Sequence, residues 1–439
     1  MPERHSPSIP RWSETRCLAH DDGRSGTCQP GAGSPTGFSE GFGVAWVVLP
    51  GEIRDRSRRI ISNGGQQKAR ESSTASLLSL ILAGTLWTDG ERQSWLLTAA
   101  YEGGKMKTTG TVGYAAMFEQ FHPTDLLKWC KTAEESGFTS VMASDHFHPW
   151  TPEQGQSAFV WSWLGALGAT TNLRFGTGVT PPGFRYHPAI IAQAAATLEA
   201  MYPGRFWLGL GAGEALNEHI VGEYWPEAPT RLRILMESIE VIRRLFTGKV
   251  VKYQGEHVRL ESARLYTMPE APPPIYVATA GPIMSKRTGR FCDGIITVGA
   301  ADEKIKMLMQ KFEEGALQED KDPSTMPRMV QLHVSWADSQ QEAEDQAVKE
   351  WPNGGMPFPK ADIRNPEDFA AMAKLVHIDN FKNRVLTSAN LDEHLEHIQH
   401  YVDLGFDEIY VHNVGRNQEE FIRAYGERVI PKLRWPEKS

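Results

Sequence analysis

The pattern of hydrophobic and polar positions changes near residue 106. After that point, short runs of small and β-branched apolar residues alternate with longer stretches whose apolar residues recur at helical spacing. Arg231–Phe246 is the most regular helical stretch, and Gly248 marks its end. Because strand and helix alternate about eight times, the chain predicts an α/β fold, a (β/α)8 barrel of parallel strands wrapped in helices, with a few insertions.

The predicted elements can be given in chain order. The strands are Thr111–Ala116, Thr139–Ser144, Leu173–Val179, Phe206–Leu210, Pro274–Ala278, Gly294–Val298, Met329–Trp336 and Glu408–His412. The helices are one capped by Thr124 that stops near Gly137, then Phe159–Leu167, Pro188–Met201, Arg231–Phe246, Lys304–Leu317, Gln340–Trp351 and Leu391–Leu404. Val250–Leu260 predicts a hairpin insertion, and Pro352–Pro359 predicts an irregular segment.

Residues 1–105 have a different composition. They are rich in Ser, Gly, Arg and Pro, and they lack apolar periodicity apart from Val44–Leu49 and Leu77–Leu86, which predicts disorder. Glu102-Gly103-Gly104 lies just before Met106, and its codons could form a purine-rich ribosome-binding site, which leads to the hypothesis that Met106 is the real start. We therefore expect residues 1–105 to be a disordered or spurious extension and residues 106–439 to form one catalytic domain.

Composition narrows the classes of function. A net charge of −8 over 439 residues argues against nucleic acid as a partner. The apolar runs are too short for a membrane span, and the four scattered cysteines predict no disulfide framework. These features are typical of a cytoplasmic enzyme. Ligand spacing for zinc, a phosphate-binding P-loop and a nucleophile elbow are also absent from the sequence, so we expect no metal site.

Candidate chemistry falls at the ends of the predicted strands. Asp145-His146 follows the second strand, with Trp150 close behind, and Glu119 follows the first strand. A titrating imidazole beside an aromatic wall suits proton transfer. Taken alone, Asp145-His146 and Glu119 are more often ordinary residues of a surface loop. In barrels of this class, however, the loops after the strands meet at one rim, and that rim carries the chemistry.

A glycine-rich turn follows the fourth strand. Gly209-Leu210-Gly211-Ala212-Gly213-Glu214 departs from a dinucleotide fingerprint, because Glu214 stands where the last glycine belongs. The sequence leaves two interpretations open: a tight barrel turn with a solvated acid, or a loop that brings the backbone close to a flat ring while Glu214 offers a proton.

Four segments in order resemble a known family. They are Phe118–Phe121, Ser144–Trp150, Phe184–Pro188 and Gly213–Glu218. Together they are similar to the deazaflavin (coenzyme F-420)-dependent glucose-6-phosphate dehydrogenase family of the bacterial-luciferase-like superfamily. The resemblance covers about residue 110 to the end. It implies a luciferase-like TIM barrel, commonly a homodimer, that transfers a hydride from an alcohol carbon to F-420.

The resemblance also implies roles for residues at matching positions. His146 would take the substrate hydroxyl proton, Glu214 would protonate the reduced ring, and Trp150 and Glu119 would orient the imidazole. The deazaflavin would be lined by Asp145, Gly178, Val179, Pro181, Ala212, Gly213, Asn217, Ala280, Gly281 and Pro282. In the family, the peptide bond matching Gly178-Val179 is cis, which is rare without proline.

The match is incomplete at the substrate end. Thr297 and Lys360 match a Thr and a Lys that hold the sugar phosphate in the family, whereas Ala300 and Asn383 replace a Lys and an Arg. Each lost cation removes about 1.5–3 kcal/mol of charge-assisted binding, unless Lys304 or Arg384 compensates. We therefore favour an alcohol other than glucose 6-phosphate, one that is larger and uncharged.

Three alternatives stay open from the sequence. The first is a sugar-phosphate dehydrogenase on the same cofactor. The second is an FMN-dependent monooxygenase on the same barrel. The third is a non-catalytic barrel that only binds or stores the cofactor.

Overall fold

A computed structural model describes residues 110–436. The prediction that residues 1–105 form an extension therefore concerns residues outside the described range. The prediction for residues 106–439 is followed below over the part of that range that the structure describes.

Eight parallel strands close into a ring. In chain order they are β1 (Thr111–Ala116), β2 (Ser140–Ala143), β3 (Arg174–Thr177), β4 (Phe206–Leu210), β7 (Ile275–Ala278), β8 (Gly294–Val298), β9 (Arg328–Ser335) and β11 (Glu408–Asn413). Each pairs with its neighbour in this order, and the β1–β11 pairing closes the circle. The predicted (β/α)8 barrel is confirmed. An antiparallel hairpin, β5 (Val251–Gln254) with β6 (Arg259–Ala263), is the predicted insertion, and β10 (Leu386–Thr387) adds to β9.

Helices follow the strands on the outside of the ring. They are α1 (Pro123–Glu135), α2 (Val160–Thr170), α3 (Pro188–Met201), α4 (Ala215–Glu218), α5 (Ala228–Leu245), α6 (Pro282–Phe291), α7 (Asp302–Leu317), α8 (Gln340–Glu350), α9 (Pro352–Gly355), α10 (Pro366–Ala373), α11 (Leu391–Asp403) and α12 (Gln418–Arg428). Among the helices of residues 110–436, none combines the length and the apolar character that crossing a bilayer requires.

The start of α1 differs from the prediction. Thr124 was expected to cap the helix, but the N-cap is His122, whose Nδ1 accepts a hydrogen bond from the Thr124 backbone N–H at 3.3 Å. Pro123 then occupies the first turn, where its missing N–H leaves no donor unsatisfied. The capping group is therefore an imidazole, a residue type that the usual cap preferences rank low.

Side chains that alternate along the strands separate two apolar cores. Phe175, Val330 and Ile409 face outward and pack under the helices, while Trp207 and Tyr410 fill the barrel interior. The Trp207 ring lies 5.6 Å from the Tyr410 ring, centroid to centroid, and is fully buried. The lower barrel is thus a packed core, so polar chemistry is confined to the mouth at the carboxyl ends of the strands.

The backbone packs closely around Gly209 in β4, so replacing Gly209 and replacing Gly165 by alanine should have opposite effects on stability. A Cβ on Gly209 would lie 2.0 Å from the Thr177 carbonyl oxygen, whereas a Cβ on Gly165 in α2 would meet no atom within 4 Å. We expect Gly209→Ala to lower the free energy of unfolding by about 1–3 kcal/mol, because backbone cannot move aside cheaply. Gly165→Ala should raise it by about 0.5–1 kcal/mol through helix propensity. Urea denaturation of both variants checks this, and equal effects would contradict the close packing.

Candidate active site

The loops after β1, β2 and β4 bring three predicted residues together. His146 Nε2 lies 3.4 Å from Glu119 Oε1 and 3.9 Å from Glu214 Oε2. The three side chains are far apart in sequence and meet at the mouth of the barrel because the carboxyl ends of parallel strands share one rim. An imidazole between two carboxyl groups can gain or lose a proton with either neighbour.

Glu119 is a buried acid and not a surface residue. Its side chain is fully buried, and its Oε2 accepts a hydrogen bond from Ser144 Oγ at 2.6 Å. The Ser144 hydroxyl in turn accepts from the Phe118 backbone N–H at 2.9 Å. Glu119 Oε1 has no hydrogen bond of good geometry within residues 110–436, although His146 Nε2 lies within ion-pair distance. The free oxygen is therefore available to stabilise a protonated imidazole.

Asn217 holds the loop that carries His146. Its Oδ1 accepts hydrogen bonds from the backbone N–H groups of Phe147 at 2.9 Å and His148 at 3.2 Å. Its Nδ2 lies 3.2 Å from His146 Nδ1. The resemblance assigned Asn217 to the cofactor. The structure shows that its side chain, which is buried, joins the α4 segment to the histidine loop.

Trp150 forms an aromatic wall beside His146. The centroids of the two rings are 5.2 Å apart, and the Trp150 ring also packs on Phe369 at 5.2 Å. Lys360 Nζ lies 5.9 Å from the centroid of the indole. The indole Nε1 of Trp150 is a buried donor without a partner among the described residues. This N–H group is therefore available to a bound molecule.

Burial and mutual charge both shift the pKa values of Glu214 and Lys360. Burial raises the pKa of Glu214 above its usual range, while the nearby charges of His146 and Lys360 oppose the rise. Burial lowers the pKa of Lys360, and the charge of Glu214 opposes that shift. A carboxyl group with a raised pKa retains its proton at higher pH, which suits a general acid.

The loops predicted to line a cofactor surround this group. The Gly178-Val179 peptide bond is cis, as the resemblance implied. A Cβ on Gly211 would lie 2.5 Å from Val179 Cγ2, and Gly213 has a φ of +77° with Pro181 beside it. Across the mouth, Ala280 and Pro282 are exposed at the start of α6, with Gly281 between them. Together with Ala212, which follows β4, these positions remain predicted cofactor contacts.

Asp145 has a structural role that the sequence did not indicate. Its buried carboxylate accepts hydrogen bonds from Thr180 Oγ1 at 2.6 Å and Tyr186 OH at 3.1 Å, and it pairs with Arg185 at 3.2 Å. Arg185 also pairs with buried Glu218 at 3.0 Å. Both oxygens of Asp145 therefore have protein partners, and its predicted cofactor contact would be an additional one.

The predicted substrate residues are placed differently. Lys360 lies near Trp150 and Glu214, and its Nζ donates to the Asn353 carbonyl oxygen at 2.9 Å. Thr297 is buried near the end of β8, and alternation puts it on the face of Ile295, which belongs to the outer core. Val298 takes the opposite face with a 45% exposed side chain. The substrate role of Thr297 remains a prediction.

Three polar residues near the mouth were missed by the sequence reasoning. His333 on β9 lies 2.9 Å from His412 on β11, Nδ1 to Nδ1, and His412 Nε2 lies 2.8 Å from Gln120 Oε1. The two histidines stand alone within apolar strands, and only the β9–β11 register, which pairs His412 with His333, brings them together. Gln120 follows Glu119 in the loop after β1 and meets His412 only in the folded barrel.

Comparison with known proteins agrees with the fold. The family model of the luciferase-like monooxygenases matches residues 97–408. Two relatives named F420-dependent glucose-6-phosphate dehydrogenase, from Microbacterium testaceum and Nakamurella multipartita, are each 38% identical to this chain. The alignments cover 73% of this chain and 97% and 96% of the relatives.

A solved structure is also similar to this chain in sequence and fold. An F420-dependent secondary alcohol dehydrogenase in complex with an F420-acetone adduct is 35% identical, with a TM-score of 0.71, over 74% of this chain and 99% of that one. The chain belongs to the luciferase-like family and, within it, to the group of the F420-dependent glucose-6-phosphate dehydrogenases. The resemblance predicted from the four sequence segments is confirmed.

The coupling between Glu214 and Lys360 can be measured directly. Because the ammonium group favours the carboxylate form, Lys360→Met should raise the pKa of Glu214 further above its value in the unchanged protein. NMR titration of side-chain carboxyl carbons in 13C-labelled protein gives both values. The exposed Glu419, whose pKa is lowered by Lys128, serves as the reference and should not move. A lower pKa of Glu214 in the variant would contradict the arrangement.

Proposed function

We propose that this protein is an F420-dependent dehydrogenase that transfers a hydride from an alcohol carbon of its substrate to the deazaflavin. The observation that carries the proposal is the group formed by His146 Nε2, 3.4 Å from Glu119 and 3.9 Å from Glu214. Alcohol oxidation needs a base at the hydroxyl and an acid at the cofactor ring. The predicted class of enzyme, an oxidoreductase of alcohol donors with F420 as cofactor, is confirmed by the relatives.

The residues at the mouth fit a planar cofactor. A Cβ on Gly281 would meet no atom within 4 Å, which indicates open space beside the start of α6. On the other side, Val179 and Gly211 are in close contact, so backbone and small side chains form that surface. Trp150 contributes a buried N–H without a partner in residues 110–436. When bound, the deazaflavin supplies the hydride acceptor, and Ala212, Gly213 and Ala280 would hold it.

His146 takes the hydroxyl proton on Nε2. For that it needs its resting proton on Nδ1, and the His148 carbonyl oxygen, 3.2 Å away, accepts a hydrogen bond from that form. The Asn217 amide N–H groups, also 3.2 Å from Nδ1, favour the opposite tautomer. Once Nε2 is protonated, the free oxygen of Glu119 stabilises the imidazolium at short range. Glu119 is thus a positioning and charge-stabilising residue.

Glu214 is the acid on the other side of the imidazole. Its raised pKa keeps a proton on the carboxyl group at higher pH than an exposed glutamate would. The negative charge of Glu119 contributes to that rise. The two carboxyl groups therefore have different roles. Glu119, which is fully buried, stays beside the base, and Glu214, at the mouth of the barrel, carries the transferable proton.

The substrate that the site supports best is an uncharged alcohol. Ala300 and Asn383 supply no charge at the positions where the family carries cations. A sugar phosphate is the second candidate, and one observation favours it. Arg384 lies close enough to Lys360 to lower its pKa, and Arg384 Nη1 donates to the Met356 carbonyl oxygen at 2.7 Å. Two cations at this side could receive an anion.

Two finer expectations belong with this proposal. A homodimer and a cytoplasmic location are typical of the resemblance, and sedimentation of the purified protein tests the first.

Reduction of F420, followed optically with a panel of alcohols, tests the function. We expect His146→Ala to lower kcat about 10²–10⁴-fold, because general-base catalysis is lost. Glu214→Gln should lower it while leaving F420 affinity intact. His400→Ala, at an exposed histidine of α11 that pairs with Asp302, is the control and should keep full activity. Full turnover by His146→Ala would show that another group is the base.

The choice between the two substrate classes has its own test. We expect kcat/KM to be higher for uncharged secondary alcohols than for glucose 6-phosphate. Arg384→Met should then leave the uncharged substrate unaffected, with Lys306→Met, at an exposed lysine of α7, as the matched control. Faster turnover of glucose 6-phosphate, together with a KM raised about tenfold or more by Arg384→Met, would establish the sugar phosphate instead.

A further inference from the structure

A chain of hydrogen bonds beside the catalytic group fixes the proton positions of two histidines. It begins at Gln120, whose side chain is fully buried. Gln120 Nε2 donates to the carbonyl oxygens of Val414 at 3.0 Å and Glu350 at 3.2 Å. These two hydrogen bonds fix the orientation of the amide group. The atom on its other side is therefore the oxygen Oε1, which can only accept.

The acceptor at Gln120 determines the tautomer of His412. His412 Nε2 lies 2.8 Å from Gln120 Oε1, so this nitrogen must carry a proton and donate it. Burial lowers the pKa of His412 well below its usual value, which keeps the ring neutral. A neutral imidazole has one proton, and His412 Nδ1 is therefore an acceptor.

The same reasoning extends to His333. Its Nδ1 lies 2.9 Å from His412 Nδ1, so His333 must donate from Nδ1. Burial and the charge of Lys360 lower the pKa of His333 to about 4, so this ring is also neutral. The remaining nitrogen, Nε2, then carries a lone pair, and it has no hydrogen-bond partner among residues 110–436.

His333 lies on the interior face of the barrel, near its mouth. On β9, Val330, Leu332 and Val334 pack into the outer core, and alternation puts His333 on the interior face with a partly exposed side chain. The Trp351 ring packs against both His333 and Trp150, with centroids 5.4 Å from His333 and 6.5 Å from Trp150. Trp351 thus connects His333 to the aromatic wall beside His146.

We propose that His333 Nε2 accepts a hydrogen bond from a second hydroxyl group of the substrate, so that the enzyme prefers an alcohol with a neighbouring hydroxyl over the matched alcohol without one. The inference rests on the proposed dehydrogenase function. His333 is a specificity residue and takes no part in proton transfer at the reacting carbon. Gln120 and His412 are positioning residues, because they hold the acceptor form of His333.

Matched substrate pairs test this preference. The pairs are cyclohexanol with trans-cyclohexane-1,2-diol, and 2-deoxyglucose 6-phosphate with glucose 6-phosphate. The ratio of kcat/KM within a pair should fall about 3- to 10-fold in His333→Phe, the worth of one neutral hydrogen bond. The activity with the partner lacking the hydroxyl should stay within about twofold. Comparing ratios between variants removes intrinsic differences in reactivity.

Two further variants separate specificity from structure. His333→Gln keeps an acceptor oxygen and should restore part of the ratio. His397→Phe removes another partly buried histidine, on α11, whose pKa burial also lowers, and it should leave the ratio unchanged. F420 affinity, measured by fluorescence, should be equal in all three.

The tautomers provide a readout that needs no substrate. Long-range 1H–15N NMR of histidine-labelled protein should show His333 with its proton on Nδ1 and His412 with its proton on Nε2. A proton on His333 Nε2, or an unchanged pair ratio in His333→Phe, overturns the inference and leaves the dehydrogenase function standing. Failure of every alcohol to reduce F420 in the unchanged protein overturns the proposed function, and the hydroxyl preference with it.

Discussion

One buried side-chain amide joins the two loops on which the site depends. Asn217 Oδ1 accepts two backbone N–H groups of the histidine loop, and its Nδ2 lies next to His146 Nδ1. Asn217 follows Glu214 by three residues, so the same contact that holds the base also sets its distance from the acid. Because loops at a barrel rim are otherwise free to vary, this link converts two separate turns into one rigid group.

The ionisable side chains around His146 influence each other's charge. Glu119 and Glu214 both approach His146. The charge of Glu119 raises the pKa of Glu214, while the charges of His146 and Lys360 lower it. A positive charge on the imidazole therefore makes Glu214 easier to ionise and lies within ion-pair distance of Glu119. Proton gain at the base and proton loss at the acid support each other, as the reaction requires.

Periodicity predicted the fold well and the site only in part. Pro188–Met201 and Phe206–Leu210 have the predicted bounds, because apolar spacing and Pro188 carry local signals. The candidate catalytic residues were singled out by their position at strand ends, and their proposed roles came from the resemblance. His333 and His412 were not singled out, because they interact only through the register of two strands separated by long insertions. Lone polar residues in apolar strands carry no local signal, and the roles of Asn217 and Asp145 likewise depend on three-dimensional contacts.

The proposed catalytic group and the proposed substrate side lie on different parts of the chain. His146 and Glu214 lie on short loops of the barrel, whereas Lys360 and Phe369, which lie beside Trp150, belong to the segment between α8 and β10. That segment is tied to α5 where Asp362 accepts from Arg231 at 2.8 Å and from Trp225 at 2.9 Å. A substitution in this segment should leave the distance between base and acid unchanged, because that distance is set by the loops after β2 and β4 and by Asn217, which joins them. His333 lies on a barrel strand and contacts Trp351, which begins the segment after α8. The barrel and this segment are therefore in contact at His333.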